Sequence, residues 1–267
     1  MPNKVFHLDL VRQQFAAHAN DYAASATHAH GASLARLIEL CQPQRDWLML
    51  DVSTGAGFTA FAFAPRVARI IAADLTPEML AQARKIVKER EIQNVEFREA
   101  DAHQLPFTNY YFDLVTNRIA LHHYADARKA IAEMARVCKR GGLVALVDNI
   151  VPPDKVTAGW INHFEKLRDP SHNWCFPLAR LEAMFADAGL KVEQSETLQK
   201  EIELEAWSER MGASEEVKKD LRARLLTAPD EVKAWLTPRV DGDKMYFKLT
   251  EGIVFGRKEL AIKSIGE

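Results

Sequence analysis

Three short stretches carry residues whose types and spacing suit small-molecule chemistry. Leu50-Asp51-Val52-Ser53-Thr54-Gly55-Ala56-Gly57 closes a continuous apolar run that begins at Trp47. A buried strand ending in such small residues lets the backbone turn sharply and approach a ligand with no Cβ in the way, and a helix starting at about Phe58 aims its N-terminal amides at that ligand. Asp74 ends a second apolar run, Ile71-Ala72-Ala73, seventeen residues after Gly57. At that spacing a carboxylate accepts hydrogen bonds from ribose hydroxyls. Taken alone, Gly55-x-Gly57-x-x-Ala60 also meets the dinucleotide fingerprint, so the loop by itself leaves open an NAD-dependent oxidoreductase. Third, His122 and His123 follow an apolar stretch from Phe112 to Asn117. A histidine with a near-neutral pKa is the usual general base, and His123 is the candidate catalytic residue.

These residues need a scaffold that gathers them at one edge. Strand patterns at Trp47–Val52, Val67–Ala73, Val95–Glu99, Phe112–Asn117 and Leu143–Asn149 alternate with helical ones that include Pro77–Glu89 and Ala125–Cys138. Thr76 and Pro77 stand at cap and first-turn positions, and Lys139-Arg140-Gly141-Gly142 reads as a helix stop. Alternating strands and helices predict an α/β fold, a doubly wound, mostly parallel, Rossmann-like sheet whose ligands bind at the carboxyl ends of its strands. Residues 11–41 read as helical with a break near Gly31, and 1–42 are expected to form an N-terminal helical lid over a core spanning 43–151. After Pro152-Pro153 the rhythm loosens. Helices at Lys155–Leu167, Leu178–Ala188 and Ala206–Leu226 and strands at Lys191–Leu198 and Tyr246–Phe255 predict that 152–267 completes the sheet with an antiparallel C-terminal edge hairpin and helical lid insertions on the substrate side.

The surroundings of the glycine loop resemble the class I S-adenosylmethionine-dependent methyltransferases. Leu50-Asp51-x-x-x-Gly55-x-Gly57 is similar to that family's first motif, Ala73-Asp74-Leu75-Thr-Pro-Glu-Met79-Leu80-x-x-Ala83 to its second and Glu99-Ala-Asp101-Ala102-His-Gln-Leu105-Pro106-Phe107 to its third. Phe112-Asp113-Leu-Val115, Leu121-His122-His123 and Val137-Cys-Lys-Arg-Gly141-Gly142 continue the likeness in order. Over about Phe15–Asn149 the chain most resembles the subgroup containing the ubiquinone and menaquinone biosynthesis C-methyltransferases, including the lead-in Gln14-Phe15…Tyr22…His28-x-His30-Gly31. The resemblance implies S-adenosylmethionine as cofactor. It further implies Asp51 near the cofactor's ammonium and Ser53, Gly55 and Gly57 along its methionine part. Asp74, with Leu75 beside it, is implied at the ribose, Asp101 and Ala102 at the adenine, Asn117 near the ammonium and Tyr22 as a lid contact. One departure stands out: the first of the motif's usual three glycines is here Ser53. A cofactor-binding protein without catalysis is the further alternative.

Composition narrows the partners. The chain has 267 residues, 48% hydrophobic and 27% charged, with 35 Lys+Arg against 37 Asp+Glu. Binding to nucleic-acid phosphates leaves a basic excess, which is missing here, so a small-molecule methyl acceptor is expected and nucleic acid is not. No signal-peptide pattern and no membrane span are read, and a cytoplasmic location is expected. Cys41, Cys138 and Cys175 are too dispersed for a disulfide framework or a metal site. Trp160, His163, Phe164, His172, Trp174 and Phe176 read either as an acceptor wall or as the lid's own small core. A homodimer is compatible with the sequence and not required by it.

Overall fold

The computed structural model describes residues 4–23 and 31–260. β1 (Leu48–Val52), β2 (Arg69–Asp74), β3 (Val95–Glu99), β4 (Phe112–Arg118) and β5 (Cys138–Ile150) pair in parallel. β6 (Leu190–Glu203) and β8 (Lys244–Lys258) complete an eight-stranded sheet in the order β3-β2-β1-β4-β5-β8-β6, with the short β7 (Arg239–Asp241) on β8. β8 runs antiparallel to both β5 and β6. The mostly parallel sheet with an antiparallel C-terminal pair is therefore the observed architecture. The pair is not joined by a tight turn, because helices intervene between β6 and β8.

The chain winds outward from β1 to β3, then returns to lay β4 on the other side of β1. That reversal makes a crevice at the carboxyl ends of β1 and β4, the switch point at which open α/β sheets bind ligands. Both faces of the parallel strands are covered, which explains their unbroken apolar runs. On one face Ile131 and Met134 of α6 (Ala127–Val137) and Leu181 and Phe185 of α8 (Leu178–Asp187) pack on Leu50, Val115 and Val144. On the other, Leu37 of α3 (Ala32–Cys41), Phe61 and Phe63 of α4 (Phe58–Phe63) and Ala83 of α5 (Pro77–Glu89) pack on Met49, Ile70 and Leu114. A third apolar cluster lies beyond the parallel strands. It joins Phe164 of α7 (Lys155–Arg168), Trp207 of α9 (Leu204–Glu209), Leu221 of α10 (Glu215–Thr227) and Val232 of α11 (Asp230–Leu236) to Phe247 and Leu249 of β8.

The helical lead-in is α1 (Lys4–Ala17) and α2 (Ala19–Ala23) followed by α3. The expected helix over 206–226 is two helices, parted where Gly212 takes φ +68° and Ser214 caps α10 by accepting from Val217 N–H at 3.3 Å. β6 runs five residues past its predicted end. Its charged outer residues read as loop, yet they pair with neighbours, Lys200 with Glu251 at 2.5 Å and Glu201 with Arg239 at 3.0 Å.

The Lys139-Arg140-Gly141-Gly142 stop lies within β5. The helix ends at Val137, and the pairing with β4 shifts register between Cys138 and Leu143. Gly141 has φ +77°, and a Cβ on Gly142 would sit 2.8 Å from the Asp113 carbonyl and 3.0 Å from that of Lys139. Backbone oxygens cannot step aside cheaply, so Gly142→Ala is expected to destabilise the fold by about 1–3 kcal/mol. Thermal denaturation would check this, and an unchanged Tm would show that the bulge relaxes freely.

Candidate active site

A cleft of about 900 Å³ opens at the carboxyl ends of β1, β2 and β4. Its floor is the β1–α4 turn. Asp74 Oδ2 accepts the Gly55 N–H at 2.8 Å and Oδ1 accepts the Thr76 N–H at 2.9 Å, while the Thr54 N–H donates to the Ala73 carbonyl at 2.9 Å. One carboxylate thus fixes the glycine loop against the start of α5. Burial raises the Asp74 pKa, and the two amides oppose that rise by favouring the anion.

Ser53 occupies the left-handed region at φ +53°, the conformation for which the missing glycine is suited. Its Oγ lies 2.6 Å from Tyr124 Oη, which also accepts from Asn117 Nδ2 at 2.7 Å. Tyr124 thus receives from Asn117 and is bonded to the Ser53 hydroxyl.

Of the residues expected at the cofactor, Tyr22, Ser53, Gly55, Asp74, Leu75, Asp101 and Ala102 line this cleft, as does His123. Asp51, Gly57 and Asn117 do not; they stand behind its wall. Asp51 is buried and accepts from Thr54 Oγ1 at 2.6 Å and Thr116 Oγ1 at 2.7 Å, and desolvation pushes its pKa up to about 6. Gly57 starts α4 at φ +90°, where a Cβ would meet the Phe61 ring. The Asn117 amide nitrogen donates to Tyr124 Oη and to the Val52 carbonyl at 2.9 Å, while its Oδ1 is buried without a hydrogen-bond partner among the described residues. All three shape the loop from below.

At the far end Asp101 Oδ1 accepts from His103 N–H at 2.9 Å and from His103 Nδ1 at 2.5 Å, while His103 Nε2 accepts the Asp126 N–H at 3.2 Å. Those partners assign the proton to Nδ1. His103, Tyr124 and Arg118 line the cleft although their sequence context did not single them out. Arg118 ends β4, donates from Nε to Thr59 Oγ1 at 3.0 Å and feels the charges of Glu251 and Asp51. Only the adjacency of Tyr124 to His123 and of His103 to Asp101 hinted at two of them.

The roof is α1 and α2. Phe15 sets its ring against the edge of His123 at 4.9 Å and lies 5.2 Å from Tyr22. His7 Nε2–H donates to the His123 carbonyl at 2.8 Å, Arg12 to the Leu75 carbonyl at 3.3 Å and Tyr22 Oη to Met211 Sδ at 3.2 Å. His28 and His30 of the lead-in motif lie outside the described residues.

The two neighbouring histidines differ in charge. His122 Nδ1 is 2.5 Å from Asp148 Oδ1. Burial opposes its protonation, but the carboxylate outweighs burial and the pKa rises. His123 Nδ1 faces the Ser171 carbonyl at 3.1 Å, and burial, followed by the charge of His122, lowers its pKa to about 4. Its neutral ring donates from Nδ1 and keeps the lone pair on Nε2, which lies 3.9 Å from Asp169 Oδ2. The aromatic cluster proves to be packing material: Trp160, Phe164 and Trp207 stack at 5.4 and 5.7 Å within the third core. His172 is buried against Asn162 Oδ1 at 2.9 Å, and His163 and Trp174 are exposed.

A glycine-turn cleft with one carboxylate at the end of β2 and another after β3 defines a nucleoside-binding α/β enzyme. The chain belongs to the class I S-adenosylmethionine-dependent methyltransferases, and S-adenosylmethionine is its cofactor. Residues 50–146 match the methyltransferase domain family. The uncharacterized methyltransferase YcgJ of Bacillus subtilis is 34% identical over 91% of this chain and 97% of its own length. Its crystal structure gives a TM-score of 0.81, covering 87% of this chain and 100% of that one. The demethylmenaquinone methyltransferase of Thermus thermophilus is 36% identical over 44% of this chain and 54% of that protein. The nicotinamide alternative does not survive this membership.

Ser53→Gly removes left-handed strain of roughly 1–2 kcal/mol and forfeits a hydrogen bond of about 1 kcal/mol. The variant is expected to match the wild type in Tm and in S-adenosylmethionine affinity. A large loss of affinity in calorimetry would make the hydroxyl a direct ligand contact.

Proposed function

We propose that the enzyme methylates a small-molecule acceptor held beneath α1 and α2, next to a cofactor lying along the β1–β2 edge of the cleft. The observation that carries the reading is Asp74, a buried carboxylate on the cleft wall beside a loop whose Gly55 offers no Cβ towards it. In this reading Asp74 and Leu75 meet the ribose, and Asp101 and Ala102 meet the adenine. Ser53, Thr54 and Gly55 follow the methionine part, with Arg118 as the cation for its carboxylate. Asp51, Gly57 and Asn117 act one layer deeper, keeping the turn in shape.

When bound, S-adenosylmethionine supplies a methyl group on a sulfonium, already activated for in-line displacement. The protein's task is therefore alignment and exclusion of water. Phe15 and Tyr22 close the roof. His123, neutral and presenting a lone pair, is the group able to take a proton from the acceptor. The three cysteines are free and buried, which suits a reducing compartment, and we assign the enzyme to the cytoplasm.

Titration calorimetry with S-adenosylmethionine, S-adenosylhomocysteine and NAD should give micromolar binding of the first two and none of NAD. Asp74→Asn keeps the volume and loses the charge, and roughly tenfold to hundredfold weaker S-adenosylmethionine binding is expected. An unchanged Kd in the folded variant removes Asp74 from the ribose.

The lowered pKa of His123 has a thermodynamic consequence. The unfolded chain protonates this ring below about pH 6.5, whereas the folded protein does so only near pH 4. The ring's contribution is therefore lost as pH falls through that window. His122 works in the opposite sense, since its raised pKa stabilises the fold at low pH and that contribution fades as pH rises. Imidazole NMR should show His123 neutral at pH 5.5 while His122 is still protonated, and the reverse order of titration would refute the assignment.

A further inference from the structure

Beside the cofactor cleft lies a second pocket, and the two share Tyr22, Ile119 and His123. Its other walls include Arg168, Lys200 and Arg210, with Trp207, Ile202 and Leu249 as apolar surface. Lys200 is neutralised by Glu251 at 2.5 Å. The two guanidiniums have no such direct ion pair, although Arg168 feels the charge of Asp169 and bonds the Tyr22 hydroxyl. Arg168 is buried, spends its Nε on the Trp207 carbonyl at 2.9 Å and lies over the Trp207 ring at 4.3 Å. Arg210 is half-buried three residues beyond Trp207, and burial, followed by the charge of Arg168, lowers its pKa. Among the described residues neither has a carboxylate within ion-pair distance.

The nearby acids have other partners as well. Asp148 is bonded to His122, and Asp169 accepts from Ser171 N–H at 2.9 Å and Oγ at 2.6 Å and faces His123. Burial pushes the remaining acid, Glu165, towards its neutral form. Asn149, also on the wall, is buried with an Oδ1 that has no hydrogen-bond partner. The half-buried Arg210, with Arg168 near it and a buried acceptor that has no partner, forms a recognition set, because such groups are costly unless a ligand completes them.

We propose that the methyl acceptor is a small organic anion whose carboxylate or phosphate lies between Arg168 and Arg210. Its apolar body lies against Ile202 and Leu249 of the same wall, and one of its hydroxyl or amine hydrogens faces Asn149 Oδ1. The arrangement matches the general preference of guanidinium for planar or tetrahedral oxyanions and for aromatic faces. The proposal rests on the first cleft being the cofactor site, which leaves this chamber to the acceptor.

The test loads the full-length protein with S-adenosylhomocysteine and titrates benzoate, phenyl phosphate and the uncharged benzamide. At least one anion is expected to bind about tenfold or more tightly than benzamide, and the tighter of the two identifies the oxyanion. Arg210→Gln, at the more accessible of the two sites, should abolish that preference while the Kd for S-adenosylhomocysteine stays within about twofold, and Arg210→Lys should restore part of it. Equal binding of benzamide, no binding of either anion, or a preference that persists in Arg210→Gln overturns the proposal. If the wild-type protein does not bind S-adenosylhomocysteine, the cofactor reading fails first and this inference falls with it.

Discussion

A buried carboxylate that receives two backbone amides from different segments is a strong constraint, because releasing either amide leaves both a donor and an anion poorly solvated. Asp74 is such a group. It joins the Gly55 amide of the β1–α4 turn to the Thr76 amide at the start of α5. The parallel register of β1 and β2 brings those segments within reach, with Val52 opposite Ala73. The turn keeps its left-handed residues, Ser53, Gly55 and Gly57, because it is pinned at this point and closed by the Thr54 bond to Ala73. The cleft is therefore a property of the sheet, and the loop follows from it.

Around that pin the protein distributes charge by depth. Asp51, one layer down, is held by two hydroxyls, and desolvation moves it towards the neutral acid. Asp101 keeps partial access to solvent and is oriented by His103. Arg118 is buried between acids on both sides of the sheet, which lets a cation face the cleft from its floor. The site combines acceptors at one end with a cation at the other, as a ligand that bears a sulfonium, an ammonium and a carboxylate requires.

The parallel strands, the glycine turn and Asp74 were legible because apolar runs, small residues and spacing are local signals. The family motif placed Asp51, Gly57 and Asn117 among the cofactor contacts, but sequence spacing cannot distinguish a cleft wall from the layer behind it. In the structure the Asp51 carboxylate is held by Thr54 and Thr116, Gly57 starts α4, and the Asn117 amide nitrogen is bonded to Tyr124. His122 and His123 are the sharpest case. Adjacent in sequence, they titrate in opposite directions, since one turns towards Asp148 of β5 and the other towards the cleft. Arg168 and Arg210 escaped notice for the same reason: one ends α7 and the other follows α9, and their proximity is purely tertiary. Of the two readings of the aromatic and histidine-rich segment, the packing one describes Trp160 and Phe164, which stack on each other, with Trp207 on Phe164.

β8 has a divided character. Ile253, Val254 and Phe255 complete the cores flanking the parallel strands, whereas Met245, Phe247 and Leu249 belong to the third cluster with α7, α9, α10 and α11. One strand thus contributes to all three apolar clusters. Distant, non-touching substitutions combine additively. The helical half can therefore accumulate changes in shape without a thermodynamic penalty being transmitted to the turn that Asp74 pins, and the fold is free to diversify at one end of that strand while staying fixed at the other.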